Sequence, residues 1–237
     1  AEGTRFLDME REAAIEAIPP PPTGLRADAL LRISHPYRLE PSPEAKRTFV
    51  FGTAELGIVE DLKMVGGQPA RQLLPGRNVS YITCSRFSAQ GFVRSGAAPD
   101  NVAVVHLGYD PRVFKPASAA DREALRQSMG WSGRMVFLNV STMSWYKGLN
   151  VMLVCFGMFA QRHPEALLVV KGSDSLWQMD KRLAGGLEQI PPQLAEIVRP
   201  RIQYLGKTMA HGEIARLYQA ADAYLSPYHG EGFNLPV

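Results

Sequence analysis

The amino-acid sequence predicts an α/β protein made of two doubly wound domains, each built on a parallel sheet. Short apolar runs, of the length of buried strands, alternate along the chain with segments of helical periodicity. The alternation occurs twice, and a connector interrupted by Gly108, Pro111 and Pro116 separates the two series. The chain has 237 residues, of which 46% are hydrophobic and 21% charged, so it can form two such cores.

Prolines dominate the first part of the chain and predict an irregular segment over residues 1–46. Four consecutive prolines occupy 19–22, and others fall within 36–43. Proline has a fixed φ and no amide donor, so neither stretch suits a helix interior or a central strand. The predicted first domain covers 47–116. Its expected elements are strands at 48–51, 79–83 and 102–105 and a helix at 85–95.

The second series of elements defines a predicted second domain over 117–237. Its best-marked helix carries apolar residues at helical spacing, at positions 149, 152, 153, 156 and 159. The other predicted helices lie at 121–129, 192–198 and 214–221, and the predicted strands at 135–140, 167–170, 202–205 and 223–226. Doubly wound sheets bind ligands beyond the carboxyl ends of their strands, so the loops that follow these four strands are the predicted site.

Composition and charge exclude several classes of protein. The formal net charge is +3 and lysines and arginines are not clustered, so nucleic acid is not an expected partner. The longest apolar stretch, 151–160, is about half of the ~20 residues that a membrane-spanning helix needs, so membrane contact is expected to be peripheral at most. Cys84 and Cys155 both lie among apolar residues, which predicts two buried free thiols and a reducing, cytoplasmic location.

Three of the candidate loops carry residues suited to a phosphate or to close approach of a ligand. Lys147 stands where a helix begins, and an ammonium beside helix amides attracts a diphosphate. Gly172 follows the predicted strand at 167–170, and Gly206 follows the one at 202–205. A glycine lets a ligand approach the backbone. A solvated lysine and two plain turns are the alternative interpretation of the same residues.

The fourth loop, 227–237, places one glycine on each side of Glu231 directly after a predicted strand. A carboxylate there can accept hydrogen bonds from sugar hydroxyls, and the amides after Gly232 can donate to a hydroxyl or a phosphate oxygen. The alternative is a glycine-rich turn with an exposed glutamate. His229 is the one histidine of interest, because it precedes Glu231 closely and no histidine pair has the spacing of a zinc site.

The order and spacing of these motifs resemble those of the retaining family 4 glycosyltransferases, which have the GT-B fold. The matching motifs of the second domain are Lys147-Gly148, the strand and glycine at 168–172, the passage 204–227 with Ala-Ala-Asp at 220–222, and Glu-Gly-Phe-Asn-Leu-Pro at 231–236. In the first domain, 85–96 and 102–114 are similar to the end of the family's N-terminal domain, and 53–57 to a strand-end Glu-x-Gly of some members. The resemblance covers roughly 31–237 and implies a GT-B-like fold with two Rossmann-like domains.

The resemblance implies a hexosyltransferase that uses a nucleotide diphosphate sugar and retains the anomeric configuration. Lys147 and Glu231 are the expected catalytic residues, the first stabilising the leaving diphosphate and the second holding hydroxyls of the donor sugar. The expected donor-binding residues are Thr142, Lys147, Gly172, Gly206, His229, Glu231, Gly232, Phe233, Asn234 and Leu235. Glu55 and Ser85 are expected on the acceptor side, and the acceptor is a glycan, a lipid-linked molecule or a protein. No metal or other cofactor is expected.

Three departures from the family pattern favour an alternative. Thr142 occupies the position of a usual arginine, the family's second glutamate would fall at position 239, beyond Val237, and no glycine-rich acceptor loop precedes residue 48. Both domains are therefore expected to be incomplete. The alternative is a non-catalytic GT-B-like module that binds a nucleotide or a glycan. A different Rossmann-type enzyme, such as an epimerase or a dehydrogenase, is disfavoured because the sequence has no dinucleotide glycine fingerprint.

Overall fold

The structure, a computed structural model, describes residues 9–236, which divide into two compact units. The N-terminal unit contains Pro19–Gly108 and Gly230–Leu235. The C-terminal unit contains Tyr109–His229, residues 9–18 with helix α1 (Met9–Glu16), and Pro236. The division follows Gly108, whereas the sequence suggested a boundary after residue 116, and Gly230–Leu235 groups with the N-terminal unit.

The N-terminal unit is built on a four-stranded parallel sheet in the order β1-β2-β3-β4. Its elements are β1 (Ala27–Ile33), β2 (Ala45–Phe51), α2 (Ala70–Leu73), β3 (Ser80–Thr83), α3 (Arg86–Arg94) and β4 (Val102–Val104), with 3₁₀ turns at Asp61–Lys63, Val65–Gly67 and Pro99–Asn101. The predicted strands at 48–51, 79–83 and 102–105 and the predicted helix at 85–95 are confirmed within a few residues. Val50, Tyr81 and Phe92 are buried at the centre of this core.

The expectation of an irregular segment over 1–46 is wrong where α1 (Met9–Glu16) and β1 (Ala27–Ile33) form, and residues 1–8 lie outside the described residues. Strand β1 pairs in parallel with β2 from Ala27↔Ala45 to Ile33↔Phe51. The prolines lie before and after β1 and do not interrupt it, so its amides remain available for the ladder. Leu31 and Ile33 of this edge strand are exposed, and that is why the sequence lacked the alternation that marks a half-buried strand.

A hydrogen-bond relay ties helix α3 to the loop after β2. The Ser85 hydroxyl oxygen caps α3 by accepting a hydrogen bond from the Ser88 amide at 3.1 Å. The Ser88 hydroxyl oxygen accepts from the Ala54 amide at 2.8 Å and from the Thr83 hydroxyl at 2.6 Å. Ser88 and Thr83 are buried, so this relay fixes the backbone where β2 and β3 end.

The C-terminal unit is built on a second four-stranded parallel sheet, in the order β7-β6-β5-β8. Its elements are α4 (Ala119–Met129), β5 (Met135–Val140), α5 (Leu149–Ala160), β6 (Ala166–Lys171), α6 (Asp174–Trp177), α7 (Met179–Gln189), α8 (Pro192–Val198), β7 (Ile202–Leu205), α9 (His211–Ala220) and β8 (Ala223–Tyr224), with 3₁₀ turns at Trp145–Lys147 and Arg199–Arg201. The predicted strands and helices of this region are confirmed. Helices α6 and α7 were not predicted.

The C-terminal sheet is covered on both faces, as a doubly wound domain requires. Every residue of β6 is buried, and its side chains alternate between two cores. Leu168 and Val170 pack with α5, α7 and α8, whereas Leu167 and Val169 pack with Trp131 and helix α9. The predicted stripe of α5 is confirmed, but Cys155 lies on its exposed side, so the expectation of two buried thiols holds for Cys84 alone.

Arg126 anchors the edge of the C-terminal sheet that is opposite to the ligand loops. This buried guanidinium donates to the carbonyl oxygens of Ala220 at 2.7 Å and Trp131 at 3.1 Å, and to the Asp222 carboxylate at 3.1 Å. Asp222 also accepts from the Val136 amide at 2.7 Å. Burial opposes ionisation of Asp222, but the Val136 amide and the two arginines, Arg122 and Arg126, outweigh it and lower the pKa of the carboxyl group.

Within residues 9–236, the chain has no helix long and apolar enough to cross a membrane.

Candidate functional site

Lys147 lies at the carboxyl end of the C-terminal sheet, in the 3₁₀ turn that leads into α5. Its ammonium nitrogen stands 4.3 Å from the centroid of the Tyr228 ring, in the loop after β8. The Tyr228 hydroxyl in turn contacts the Val140 carbonyl oxygen at 3.4 Å and the Tyr224 hydroxyl at 3.1 Å. The lysine is therefore half-buried between the loops that follow β5 and β8.

The N-terminus of α5 begins beside Lys147. Helix α5 is twelve residues long, its N-cap is Gly148, and among the described residues no side chain caps its first amides. No acidic side chain stands in its first turn. The amides at a helix N-terminus carry partial positive charge, and together with the nearby ammonium they form a site suited to an anion.

Gly148 is required by the geometry of the turn. Its φ of 62° lies in the left-handed region, and a Cβ at this position would overlap the carbonyl oxygen of Pro227. The His229 amide donates to the Tyr146 carbonyl oxygen at 2.8 Å, and the His229 ring stacks on exposed Trp145 at a centroid distance of 4.9 Å. These contacts hold the loop after β8 against the turn that carries Lys147.

Asn139 joins two of the ligand loops from inside the sheet. This buried side chain donates from Nδ2 to the Leu225 carbonyl oxygen at 2.8 Å and accepts from the Ser141 hydroxyl at 2.7 Å. Asn139 was not among the predicted site residues, although an amide within an apolar strand is a signal that could have identified it. Thr142, expected to bind the donor, is exposed, and its hydroxyl donates to Ser144 Oγ at 3.3 Å.

Gly172 and Gly206 both fit closely against the protein's own side chains. A Cβ at Gly172 would lie 2.8 Å from Met179 Sδ, and one at Gly206 would overlap the Asp174 carboxylate. The Asp174 carboxylate accepts from the Tyr204 hydroxyl and, at 3.0 Å, from the Asp180 amide. Packing accounts for both glycines without a ligand, and the cluster of Asp174 and Tyr204 was not recognised from the sequence.

Lys171 is a buried cation at the end of β6. Its ammonium donates to the Gly172 carbonyl oxygen, and its own carbonyl oxygen accepts from the Ser141 amide at 3.1 Å. Burial lowers the pKa of Lys171, and the Asp174 and Glu213 carboxylates oppose that effect. Burial thus outweighs the stabilisation that the two carboxylates give to the charged form of Lys171.

Glu231 belongs to the N-terminal unit, where its loop lies against the residues that follow β2. The Glu231 amide donates to the Glu55 carbonyl oxygen at 3.1 Å, and its carboxylate accepts from the Gly232 amide at 3.1 Å. The Ser85 hydroxyl donates to the Gly232 carbonyl oxygen at 2.5 Å. The structure thus brings together Glu231 and Gly232, expected to bind the donor, with Glu55 and Ser85, expected on the acceptor side.

The two glycines of this loop permit its close approach to the end of β2. A Cβ at Gly230 would lie 2.5 Å from Leu56 Cδ2, and one at Gly232 would lie 2.8 Å from Thr53 Cγ2. After them, the Phe233 ring packs 5.9 Å from the His106 ring, measured between centroids. Asn234 adopts a left-handed conformation with φ of 63°, and Leu235 is exposed.

Lys63 is a further charged residue of this region that was not among the predicted site residues. Its buried ammonium lies 3.7 Å from the Glu55 carboxylate and 3.5 Å from the Glu60 carboxylate. The Thr53 hydroxyl also donates to Glu55 at 3.2 Å. Lys63 follows no periodic pattern in the sequence, and only the fold places it beside Glu55. Glu55 is thus an oriented carboxylate that remains about one-third exposed.

The predicted site residues are therefore divided between the two units. The C-terminal unit holds Thr142, Lys147, Gly172, Gly206 and His229, and the N-terminal unit holds Glu55, Ser85 and Glu231–Leu235. Between residues 9 and 236 there is no group of three or more histidine, cysteine or carboxylate side chains that could hold a metal ion.

Two Rossmann-like α/β units, each with a parallel sheet and ligand loops at its carboxyl edge, have the architecture of the GT-B glycosyltransferases. Residues 121–237 match the family described as Glycosyl transferases group 1. That match covers α4 to the end of the chain and includes both Lys147 and Glu231. The structural neighbours thus show the GT-B fold, and the family match lies in the C-terminal part of the chain.

The chain is similar to several known proteins, each over part of its length. It is 25% identical over 141 residues to the mannosylfructose-phosphate synthase of Agrobacterium fabrum. That alignment covers 59% of this chain and 30% of the synthase. The structure of HepE from Anabaena in complex with UDP-glucose superposes with a TM-score of 0.59 at 19% identity, covering 77% of this chain and 47% of that one. A UDP-forming α,α-trehalose-phosphate synthase from Burkholderia xenovorans gives a TM-score of 0.56 at 17% identity, with 80% and 49% covered. The chain thus spans about half the length of these solved structures and less of the curated relative.

Proposed function

We propose that the protein transfers a hexose from a nucleotide diphosphate sugar to an acceptor and retains the anomeric configuration. The family match over 121–237 supports the class of reaction. HepE, one of the structural neighbours, was solved with UDP-glucose bound, and the curated relative is named as a synthase of a sugar phosphate. These relatives favour a nucleotide sugar as the donor of this chain as well.

The observation that carries the proposal is the position of Lys147 beside the N-terminus of α5. A nucleotide diphosphate sugar leaves a nucleoside diphosphate, whose negative charge grows as the glycosidic bond breaks. The ammonium of Lys147 and the amides of α5 are fixed donors at one point of the C-terminal unit. Fixed donors stabilise developing charge without reorganising, which is the largest single contribution in many enzymes.

Glu231 is proposed to hold hydroxyl groups of the donor sugar. Its carboxylate is partly exposed, and the backbone around it is fixed by Glu55 and Ser85. A carboxylate accepts hydrogen bonds only, so sugar hydroxyls are suitable donors. The amides of Gly232, Phe233 and Asn234 are proposed to contact the sugar or a phosphate oxygen, with His229 and Leu235 beside them in the sequence.

The acceptor is proposed to bind to the N-terminal unit, where Glu55 and Ser85 lie at the ends of β2 and β3. A glycan, a lipid-linked molecule or a protein remains the proposed class of acceptor. We propose that Lys147 and the α5 amides meet the charge of the diphosphate in place of a metal ion, and that the protein acts in the cytoplasm, with any membrane contact peripheral.

Calorimetric titration with UDP, GDP and ADP, followed by a turnover assay with the matching glucose and mannose donors, tests this proposal. We expect one nucleoside diphosphate to bind and its sugar donor to be consumed when an acceptor is supplied. NMR of the product reports the anomeric configuration directly. Failure of all three nucleotides to bind would exclude the proposed donor class, and an inverted product would exclude retention alone.

A second function is favoured by one observation. Thr142, at the position of a usual cation, is exposed and offers a hydroxyl to Ser144 in place of a charge. A site with one cation fewer binds a diphosphate but stabilises a leaving group less. We therefore keep a non-catalytic nucleotide-binding or glycan-binding module as the alternative. It predicts nucleotide binding without turnover for every donor and acceptor, and a Thr142→Arg variant with tighter nucleotide binding.

A further inference from the structure

A cavity of about 320 Å³ opens at the carboxyl edge of the N-terminal sheet, beyond the end of β1. It is lined by Arg32, Ser34, His35, Pro36, Arg38 and Val65. Its volume is at the lower end of the range for small-molecule sites, roughly 300–1,000 Å³, and suits one small ligand. None of the predicted site residues contributes to it.

The cavity is cationic, and no carboxylate of the described residues pairs with its two arginines. Its lining contains two guanidinium groups and one imidazole, and no carboxylate. In the part of the chain that the structure describes, neither Arg32 nor Arg38 forms an ion pair. Two neighbouring uncompensated arginines repel each other and therefore favour an anion between them.

The wall of the cavity is held in place by backbone contacts. The Arg32 Nη1 group donates to the carbonyl oxygens of Arg38 and Glu40, each at 2.8 Å, and thus fixes the loop that returns from the end of β1. The Ser34 hydroxyl donates to the Pro36 carbonyl oxygen at 3.2 Å. Arg32 therefore has a supporting role, whereas the exposed Arg38 guanidinium has no hydrogen-bond partner among the described residues.

The position of the cavity relates it to the proposed acceptor residues. β1 and β2 are parallel and pair Ile33 with Phe51, so the residues after each strand emerge at the same edge of the sheet. Ser34 to Arg38 follow β1 there, and Glu55 follows β2. Both lie in the N-terminal unit, and both lie at the edge where parallel α/β sheets bind ligands.

We propose that this cavity binds the phosphate monoester of a small phosphorylated acceptor, with Arg38 as its principal ligand and Arg32 and His35 beside it. A guanidinium donates two parallel hydrogen bonds to a phosphate, which fits the exposed fork of Arg38. A concave site of this volume suits a hexose phosphate and not the flat surface of a bilayer. The assignment of this ligand as an acceptor rests on the proposed glycosyltransferase function, but the anion site itself does not.

Titration of the protein with glucose 6-phosphate, inorganic phosphate and glucose tests the proposal. We expect the two phosphates to bind and glucose to remain undetected at the same concentrations. Arg38→Ala should weaken binding of both phosphates at least tenfold, and Arg38→Lys less, because a lysine keeps the charge but loses the fork. Arg71→Ala is the matched control, since Arg71 is an exposed arginine of the same unit outside the cavity, and it should bind like the wild type.

Several outcomes would overturn the proposal. One is equal binding of phosphate by wild type and Arg38→Ala. Another is a loss of phosphate affinity in Arg71→Ala as large as that in Arg38→Ala. The third is binding of the protein to anionic phospholipid vesicles without binding to either phosphate. UDP, GDP and ADP titrated into the same variants separate the two proposals. An Arg38→Ala protein that loses phosphate binding but keeps nucleotide binding supports the cavity as the anion site. A protein that binds no nucleotide but loses phosphate binding in Arg38→Ala contradicts the proposed function and leaves the anion site standing.

Discussion

The Lys147 ammonium lies 4.3 Å from the centroid of the Tyr228 ring, so the cation at the start of α5 is positioned by the loop after β8. The Tyr228 hydroxyl is hydrogen-bonded to the Tyr224 hydroxyl, and burial raises the pKa of Tyr224 to about 12. The face of the Tyr228 ring presents its quadrupole to the ammonium. Two loops that are distant in sequence thus form one cationic position.

Lys147→Ala should remove the fixed charge that faces the leaving diphosphate. We expect a loss of about 2–4 kcal/mol of transition-state stabilisation in kcat/KM, as for other fixed electrostatic donors. The folded state should persist, because Lys147 is half-buried and lies outside the hydrophobic cores. Steady-state kinetics with the donor identified by titration gives the number. Lys181→Ala, an exposed lysine of the same unit, should leave activity unchanged, and equal activity of the Lys147 variant would refute the assigned role.

Glu231→Gln should impair catalysis while keeping the shape of the loop. The amide oxygen of glutamine can still accept from the Gly232 amide, which the wild-type carboxylate contacts at 3.1 Å. The lost charge weakens hydrogen bonds from sugar hydroxyls. We therefore expect a loss of about 2–4 kcal/mol of transition-state stabilisation, measured from kcat/KM. Binding of the nucleoside diphosphate alone should change little, because it lacks the sugar. Glu188→Gln, an exposed glutamate on α7, is the matched control, and a nucleotide affinity lowered as far as kcat/KM would contradict this assignment.

Gly148→Ala should destabilise the turn before α5 more than a left-handed position normally requires. The backbone conformation alone costs an alanine about 1–2 kcal/mol, and the overlap with the Pro227 carbonyl oxygen adds to it. Gly130→Ala is a matched control, because Gly130 has a similar φ of 71° and nothing lies within 4 Å of its Cβ position. Urea denaturation should give a larger loss for Gly148→Ala. Equal losses would mean that Pro227 moves aside without cost.

Asp222→Asn should destabilise the C-terminal unit by about 2–4 kcal/mol, because it leaves the buried Arg126 guanidinium with only the Glu123 carboxylate, at 4.0 Å, as a counter-charge among the described residues. Asp28→Asn breaks the exposed pair with Lys46 and should cost under about 1 kcal/mol. Urea denaturation at pH 7 compares the two variants. A similar small loss in both would show that the Arg126 network contributes little.

The effect of Asp222 on stability should also depend on pH. Its folded-state pKa is lowered from 3.8, so the ionised carboxylate stabilises the fold above that unfolded value. The contribution is lost as the pH falls through the folded-state pKa. The difference in unfolding free energy between wild type and Asp222→Asn should therefore be constant near neutral pH and shrink in acid below 3.8. A difference that persists unchanged in acid would argue against an electrostatic origin.

The predicted elements succeeded where periodicity was strong. The apolar stripe of α5 reflects burial of one helix face, and the continuous apolar run of β6 reflects burial of both strand faces. Both patterns are visible in the local sequence. Strand β1 was not predicted, because its stability depends on pairing with β2 and its own side chains are largely exposed. Helix α7 was missed because its two adjacent glycines weaken the helical pattern, although Gly186 provides room for Leu149.

The sequence by itself determined the two α/β units, the loops at the carboxyl ends of the strands and the family-like motifs around Lys147 and Glu231. Those features follow from local periodicity and from spacing along the chain. Only the tertiary structure decided that Gly230–Leu235 lies against Glu55 and Ser85, that Lys63 and Asn139 support the loops, and that Arg32 and Arg38 line one cavity. These contacts join residues far apart in sequence, and their energies depend on burial and distance, which spacing along the chain does not specify.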